Sequence, residues 1–76
     1  MKKEVFFEKL KEVFETNEVI SENTVLKDLP EYSSLTTLSI IAVIDENFGK
    51  NLTAMELNSI VSVKNLMELI GIEQFI

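Results

Sequence analysis

Hydroxyl side chains are concentrated in one short segment of this chain, Tyr32-Ser33-Ser34-Leu35-Thr36. A serine becomes an effective nucleophile when a neighbouring base accepts its proton. The chain contains no histidine and no cysteine, and the segment itself contains no other base. By residue type and spacing alone, the segment therefore predicts the N-cap of a helix more readily than a catalytic nucleophile.

Paired carboxylates such as Asp45 and Glu46 are the other candidates for chemistry. Adjacent residues of a helix do not face each other, so this pair indicates a solvated surface rather than an acid–base pair. The absence of cysteine and histidine also excludes disulfides, thiolate nucleophiles and the common zinc sites. No glycine-rich loop is available to bind phosphate. We expect a protein with no catalytic residues and no metal site.

Composition indicates one small globular domain over residues 1–76, with 46% hydrophobic and 26% charged residues. The net charge of −6 argues against nucleic acid and anionic membranes as partners and favours proteins with basic patches. The start Met1-Lys2-Lys3 is similar to that of a signal peptide, but charged residues interrupt the apolar stretch that should follow. No segment is long enough for a transmembrane helix, so a cytoplasmic protein without stable membrane insertion is expected.

Apolar spacing predicts a first helix over Lys3–Glu15. Its inward face should consist of Phe6, Leu10, Val13 and Phe14. The segment Thr16–Ser33 lacks this periodicity and predicts a long loop, with room for a short helical turn. Five apolar side chains should hold the loop to the core: Val19, Ile20, Val25, Leu26 and Leu29.

A second helix is predicted over Ser34–Phe48, with Ser33 as N-cap and Gly49 as the stop signal. Its middle is apolar nearly all round, which is typical of a central helix packed on several sides; a strand is the competing interpretation. The most polar stripe, expected to face solvent, is formed by Leu35, Ser39, Ala42 and Glu46.

Two shorter helices complete the predicted all-α, four-helix architecture. Thr53 and Glu56 form a capping-box pattern that opens a short third helix ending near Ser59. Ser62 caps a fourth helix over Val63–Ile70, and an apolar tail follows. The expected core comprises Phe6, Leu10, Phe14, Leu38, Ile41, Ile44, Phe48, Ile60, Val63 and Leu66.

The sequence around the second helix resembles the acyl carrier protein family. That family has an Asp-Ser-Leu motif at the start of its second helix, after a long loop with a leucine-containing approach. The matching stretches here are Leu26-Lys27-Asp28-Leu29-Pro30-Glu31-Tyr32-Ser33-Ser34-Leu35 and Ile41-Ala42-Val43-Ile44-Asp45-Glu46-Asn47-Phe48-Gly49. The resemblance extends over most of the chain from Val25 to Ile70. It implies an acyl-carrier-like bundle with a long loop between helices 1 and 2 and a short helix 3.

The resemblance implies that Ser34 carries a covalent 4′-phosphopantetheine, whose thiol holds an acyl group as a thioester. The protein would then be a monomeric carrier rather than an enzyme, as in fatty acid biosynthesis. Its partners would be a phosphopantetheinyl transferase and acyl-loading and acyl-transferring enzymes. The implied partner interface consists of Leu35, Ser39, Ala42, Asp45 and Glu46.

Three departures from the family pattern qualify these expectations. Ser33 replaces the family's aspartate, which supports an unmodified carrier-like interaction module as the alternative function. Because two serines adjoin, the assignment to Ser34 rests on alignment with Leu35, and Ser33 is the less favoured attachment site. Serine and threonine replace acidic residues along the second helix, which indicates a specialised carrier rather than the housekeeping fatty-acid carrier. Leu57 stands where the family often has a small residue, which predicts a small pocket. A generic helical adaptor would be favoured if Ser34 were buried.

Overall fold

Four α-helices and two short 3₁₀ turns make up the fold, and the computed structural model describes all residues, 1–76. The helices are α1 (Lys3–Phe14), α2 (Ser34–Phe48), α3 (Ala54–Ser59) and α4 (Val63–Ile70). The 3₁₀ turns are Leu26–Asp28 and Ile72–Gln74, and the only β-type pairing is an isolated bridge between Val25 and Ser62. The predicted all-helical architecture is confirmed. None of the helices has both the length and the apolar character needed to cross a membrane.

Local capping interactions set the helix boundaries. The starts of α2, α3 and α4 each carry a reciprocal capping box, formed by Ser33 with Thr36, Thr53 with Glu56, and Ser62 with Asn65. These side chains satisfy first-turn N–H groups that have no partner inside the helix. Helix α2 ends at Gly49, whose φ of 66° is a left-handed conformation that glycine adopts without strain. The predicted bounds of α2 and α4 are confirmed, and α1 ends one residue earlier than predicted.

The long connection between α1 and α2 is held down at several points. Ile20, Leu26 and Leu29 are buried, as predicted. Two backbone hydrogen bonds also join the loop to the start of α4: the N–H of Val63 donates to the carbonyl of Thr24, and that of Lys64 to the carbonyl of Glu22, both at 2.9 Å. The expectation for Val19 is wrong, because this side chain is 86% exposed. In this irregular segment Ile20 takes the inward position, and its neighbour Val19 is left on the outer side.

One continuous core lies between the inward faces of the helices. Its fully buried members are Phe6, Leu10, Phe14, Ile40, Ile44, Val63, Leu66, Met67 and Ile70. The core includes an aromatic cluster of Phe6, Phe48 and Phe75, in which the ring of Phe75 lies 5.0 Å from that of Phe6 and 5.3 Å from that of Phe48. Phe75 belongs to the tail after α4 and ties it to α1 and to the end of α2.

Helix α2 is covered on fewer sides than its sequence predicts. Its buried residues are Thr37, Ile40 and Ile44, which repeat at intervals of three and four and define one stripe. Leu38, predicted to be in the core, is 61% exposed because it lies one residue off this stripe and beside the short helix α3. Three other residues predicted to be in the core pack at the edge of the core and are half-buried: Ile41, Phe48 and Ile60.

Candidate functional site

The two adjacent serines before α2 occupy different chemical environments. Ser33 is the N-cap: its Oγ accepts a hydrogen bond from the backbone N–H of Thr36 at 3.3 Å, and its own N–H donates to Thr36 Oγ1 at 2.8 Å. Ser34 is the first residue of α2; its side chain is exposed and its hydroxyl makes no hydrogen bond within the chain. Of the two serine hydroxyls, only that of Ser34 takes part in no hydrogen bond within the chain.

The start of α2 provides a favourable environment for a negatively charged group. The N–H groups of Ser34 and Leu35 have no partner within the helix, whereas that of Thr36 is used by the cap. The helix has 15 residues and no acidic side chain in its first turn, so the positive end of its dipole is not neutralised there. A phosphate ester on the Ser34 hydroxyl would be stabilised by both effects.

An open groove of ≈ 280 Å³ runs beside Ser34, between the start of α2 and helix α3. Both polar and apolar side chains line it. Its lining residues are Tyr32, Ser33, Ser34, Thr37, Leu38, Ala54 and Asn58. The exposure of Leu38 is thus explained, since this leucine forms part of the groove wall instead of the core.

A much smaller pocket adjoins the groove. The adjoining cavity measures only ≈ 10 Å³ and is lined by Leu26, Lys27, Tyr32, Thr37, Ile40, Leu57, Ile60 and Val61. Tyr32 and Thr37 line both spaces, so they form the partition between them. Leu57, which the sequence indicated as a residue that restricts the pocket, is 4% exposed and packs into the core.

Asn58 of α3 fastens this helix to the loop before α2, a contact that sequence reasoning missed. The Lys27 ammonium donates a hydrogen bond to the backbone carbonyl of Asn58 at 2.7 Å, and the Tyr32 hydroxyl donates to its side-chain Oδ1 at 3.3 Å. These partners are 31 and 26 residues apart in sequence. No local pattern could have indicated the pairing, because only the tertiary fold brings the two segments together.

The residues of the implied partner interface lie along the outer side of α2. Leu35 is 73% exposed, and Ala42, Asp45 and Glu46 are also exposed. Ser39 is half-buried, and its hydroxyl donates to the carbonyl of Leu35 at 3.1 Å. The predicted solvent-facing stripe is confirmed for Leu35, Ala42 and Glu46. It combines a prominent apolar side chain at one end with two carboxylates at the other.

Charged side chains elsewhere in the fold do not assemble into a metal site, since no group of three or more carboxylates is close enough to hold a metal ion. The clearest ion pair lies away from α2, between Lys3 Nζ and Glu22 Oε1 at 2.9 Å. The hydrogen bond from Lys3 and its positive charge hold the pKa of the Glu22 carboxyl below its ordinary value. This pair links α1 to the long loop.

No protein-family model, no curated protein sequence and no solved structure matches this chain.

Proposed function

We propose that this protein is an acyl carrier protein that carries 4′-phosphopantetheine covalently on Ser34. The observation that carries this proposal is that the two serines make different contacts. Ser33 caps α2, while the Ser34 hydroxyl is exposed, free of hydrogen bonds and placed at the first position of a 15-residue helix. The condition that would have favoured a generic helical adaptor, a buried Ser34, is not met.

The arrangement of the helices supports the same proposal. A long, pinned loop precedes α2, α3 has only six residues, and α4 follows after a short connection. This is the order that the resemblance to acyl carrier proteins implies. It places Ser34 at an open surface beside a groove, where a partner enzyme can reach the hydroxyl.

Attachment requires one new bond to the Ser34 oxygen. That oxygen bonds to the phosphorus next to the pantetheine part of coenzyme A, the pyrophosphate bridge breaks, and the nucleotide leaves as 3′,5′-ADP. The proton of the hydroxyl must go to a base on the transferase, because the Ser34 hydroxyl has no hydrogen-bond partner in this chain. The bound group then supplies a thiol for thioester chemistry in a chain that has no cysteine.

The chain's own residues have two further roles in this proposal. The N–H groups of Ser34 and Leu35 and the dipole of α2 stabilise the phosphodiester. The outer stripe of α2, from Leu35 through Ser39 and Ala42 to Asp45 and Glu46, contacts the transferase and the acyl-loading and acyl-transferring enzymes. Because α2 has no charged residue before Asp45, we propose a specialised cytoplasmic carrier with dedicated partners instead of a general fatty-acid carrier.

The proposal is tested by incubating the protein with coenzyme A, magnesium and a broad-specificity phosphopantetheinyl transferase, and then measuring the intact mass. We expect the addition of one phosphopantetheinyl group to the wild type and none to Ser34→Ala. If the folded wild type gains no group, the protein is better described as an unmodified, carrier-like interaction module. The replacement of the family's aspartate by Ser33 is the feature that favours this second candidate.

A further inference from the structure

We propose that Tyr32 is a positioning residue, which fixes the segment leading into α2 and thereby presents the Ser34 hydroxyl to the enzyme that modifies it. This inference rests on the carrier function proposed above and names a further residue on which that function depends. Tyr32 lies two positions before Ser34, and its contacts join the segment to α1, to α3 and to the preceding turn.

Tyr32 ties the approach to α2 to the core of the protein. Leu29 and Thr37 are buried, and they bound a stretch that otherwise lies at the surface. Within this stretch, Tyr32 has the only apolar side chain that packs against the hydrophobic core, and Thr36 is half-buried but takes part in the helix cap. The remaining residues are exposed: Pro30, Glu31, Ser33, Ser34 and Leu35. On the N-terminal side of Ser34, the position of the chain therefore depends on Tyr32.

The Tyr32 ring is held by a partner that is itself fixed. It stacks on Phe14, the last residue of α1, with the ring centroids 6.5 Å apart and the ring planes inclined by 19°. Phe14 is 1% exposed, so it belongs to the close-packed interior, where side chains keep their positions. Aromatic pairs at this distance stabilise a structure beyond the area that they bury. The contact therefore sets where the segment before α2 lies relative to α1.

Two hydrogen bonds hold Tyr32 in other directions. Its hydroxyl donates to the side-chain Oδ1 of Asn58 on α3 at 3.3 Å, and its backbone N–H donates to the carbonyl of Leu29 at 3.0 Å. The ring, the hydroxyl and the backbone of one residue thus contact three different parts of the fold. A displacement of Tyr32 would break at least one of these contacts.

The order that Tyr32 imposes continues into the first turn of α2. Ser33 follows Tyr32 directly, and its carbonyl accepts from the N–H of Thr37 at 3.0 Å. The Ser34 hydroxyl belongs to this turn. If the approach loses its anchor, only a fraction of the molecules presents the turn in the arrangement that the transferase binds, and the apparent affinity falls in proportion to that fraction. We therefore expect an effect on KM. The kcat should change little, because the bound enzyme then holds the segment itself.

Steady-state modification by the transferase, with coenzyme A and magnesium, measures this effect. Tyr32→Ala should raise the KM for the carrier at least about fivefold, with kcat within about twofold of the wild type, as expected if about one molecule in five keeps the native arrangement. Tyr32→Phe keeps the ring on Phe14 and should restore KM to within about twofold. Phe75→Leu is the matched control, because it alters another aromatic side chain that packs in the core but lies in the tail, and it should leave KM unchanged.

An unchanged KM in Tyr32→Ala, or a loss confined to kcat, would overturn the role of Tyr32 while leaving the carrier function intact. A rise of KM in the Phe75→Leu control equal to that in Tyr32→Ala would overturn it too. If Tyr32→Ala does not melt cooperatively, Tyr32→Leu replaces it, since leucine keeps apolar bulk but neither the stacked ring nor the hydroxyl. A wild type that gains no phosphopantetheinyl group would refute the carrier function, and the role of Tyr32 with it.

Amide hydrogen exchange of the unmodified protein gives a second readout that needs no transferase. The N–H of Thr37 donates to the Ser33 carbonyl at the start of α2, and the N–H of Leu66 makes the equivalent bond to the Ser62 carbonyl in α4. In Tyr32→Ala, exchange at Thr37 should accelerate at least about fivefold more than exchange at Leu66, because only α2 loses its anchor. Equal acceleration at both amides would indicate a general loss of stability and would overturn the proposal.

Discussion

The two serines at the start of α2 should be separable by mutation, one affecting stability and the other modification. Ser33→Ala removes the oxygen that accepts from the Thr36 N–H, but it leaves the reciprocal bond from the Ser33 N–H to Thr36 Oγ1. Loss of a serine N-cap costs about 1 kcal/mol, within a range of about 0.5–2 kcal/mol. In a domain of this size, that lowers the melting temperature by about 4–8 °C.

Ser34→Ala should have the opposite profile. The Ser34 hydroxyl is exposed and makes no hydrogen bond within the chain, so its removal should change the free energy of unfolding by less than about 0.5 kcal/mol. The same substitution should abolish attachment of phosphopantetheine, whereas Ser33→Ala should still accept the group.

Denaturant unfolding followed by far-ultraviolet circular dichroism measures the first effect, and intact mass after incubation with the transferase measures the second. Ser62→Ala is a matched control, because Ser62 caps α4 through a bond of the same 3.3 Å length to Asn65. It should be destabilised to a similar extent and modified normally. If Ser34→Ala is modified and Ser33→Ala is not, the site assignment is wrong; if Ser34→Ala is destabilised as much as Ser33→Ala, our account of the helix cap is wrong.

Four further outcomes are expected. Phe75→Ala should lower the free energy of unfolding by about 3–5 kcal/mol, because it removes one ring of the aromatic cluster, whereas Leu38→Ala should cost less than about 1 kcal/mol in the same denaturation assay. Equal costs would contradict the arrangement of the core. Leu35→Ala should slow modification or acyl loading at least as much as Glu46→Gln does, without unfolding the protein, since apolar contact replaces much of the electrostatic attraction on α2. A rate that decreases steeply with salt and is unchanged by Leu35→Ala would refute this. Added salt should raise the melting temperature at neutral pH by screening repulsion at a net charge of −6, and a decrease would mean that paired charges dominate. Glu22→Gln should melt below the wild type at neutral pH, because a depressed carboxyl pKa stabilises the fold only while the carboxyl is ionised. The difference in melting temperature should disappear as the pH falls below the ordinary glutamate pKa of 4.5 and then through the lower pKa of Glu22 in the folded protein. A difference that persists in acid would show that the ion pair with lysine is not its cause.

Local signals in the sequence were sufficient to predict the four helices and their ends, except for the last residue of α1. Ser33, Thr53 and Ser62 each precede a helix that begins at the next residue, and Gly49 ends α2 as predicted. These signals work because a cap interacts with backbone groups two or three residues away, so its effect depends little on the rest of the fold. The position of Ser34 at the first turn of α2 follows from the same local rule.

The orientation of α2 and the packing of its neighbours could not be obtained in this way. Its middle is apolar nearly all round, so periodicity gave no reason to prefer Ile40 and Ile44 as buried residues over Leu38. The choice is made by neighbouring elements: α2 packs against α1 and α3, and the six residues of α3 are too few to cover Leu38.

The shape of the candidate site is likewise a property of the tertiary structure. The sequence singled out Leu57 as a bulky residue, but it gave no sign of its neighbour Asn58, which joins α3 to Lys27 and Tyr32 across more than 25 residues. The tail was predicted only as apolar, and Phe75 finds its partners, Phe6 and Phe48, at distant points of the chain. Contacts of this kind form only when the helices pack. Because the partners are far apart in the sequence, no local pattern of residues could indicate them.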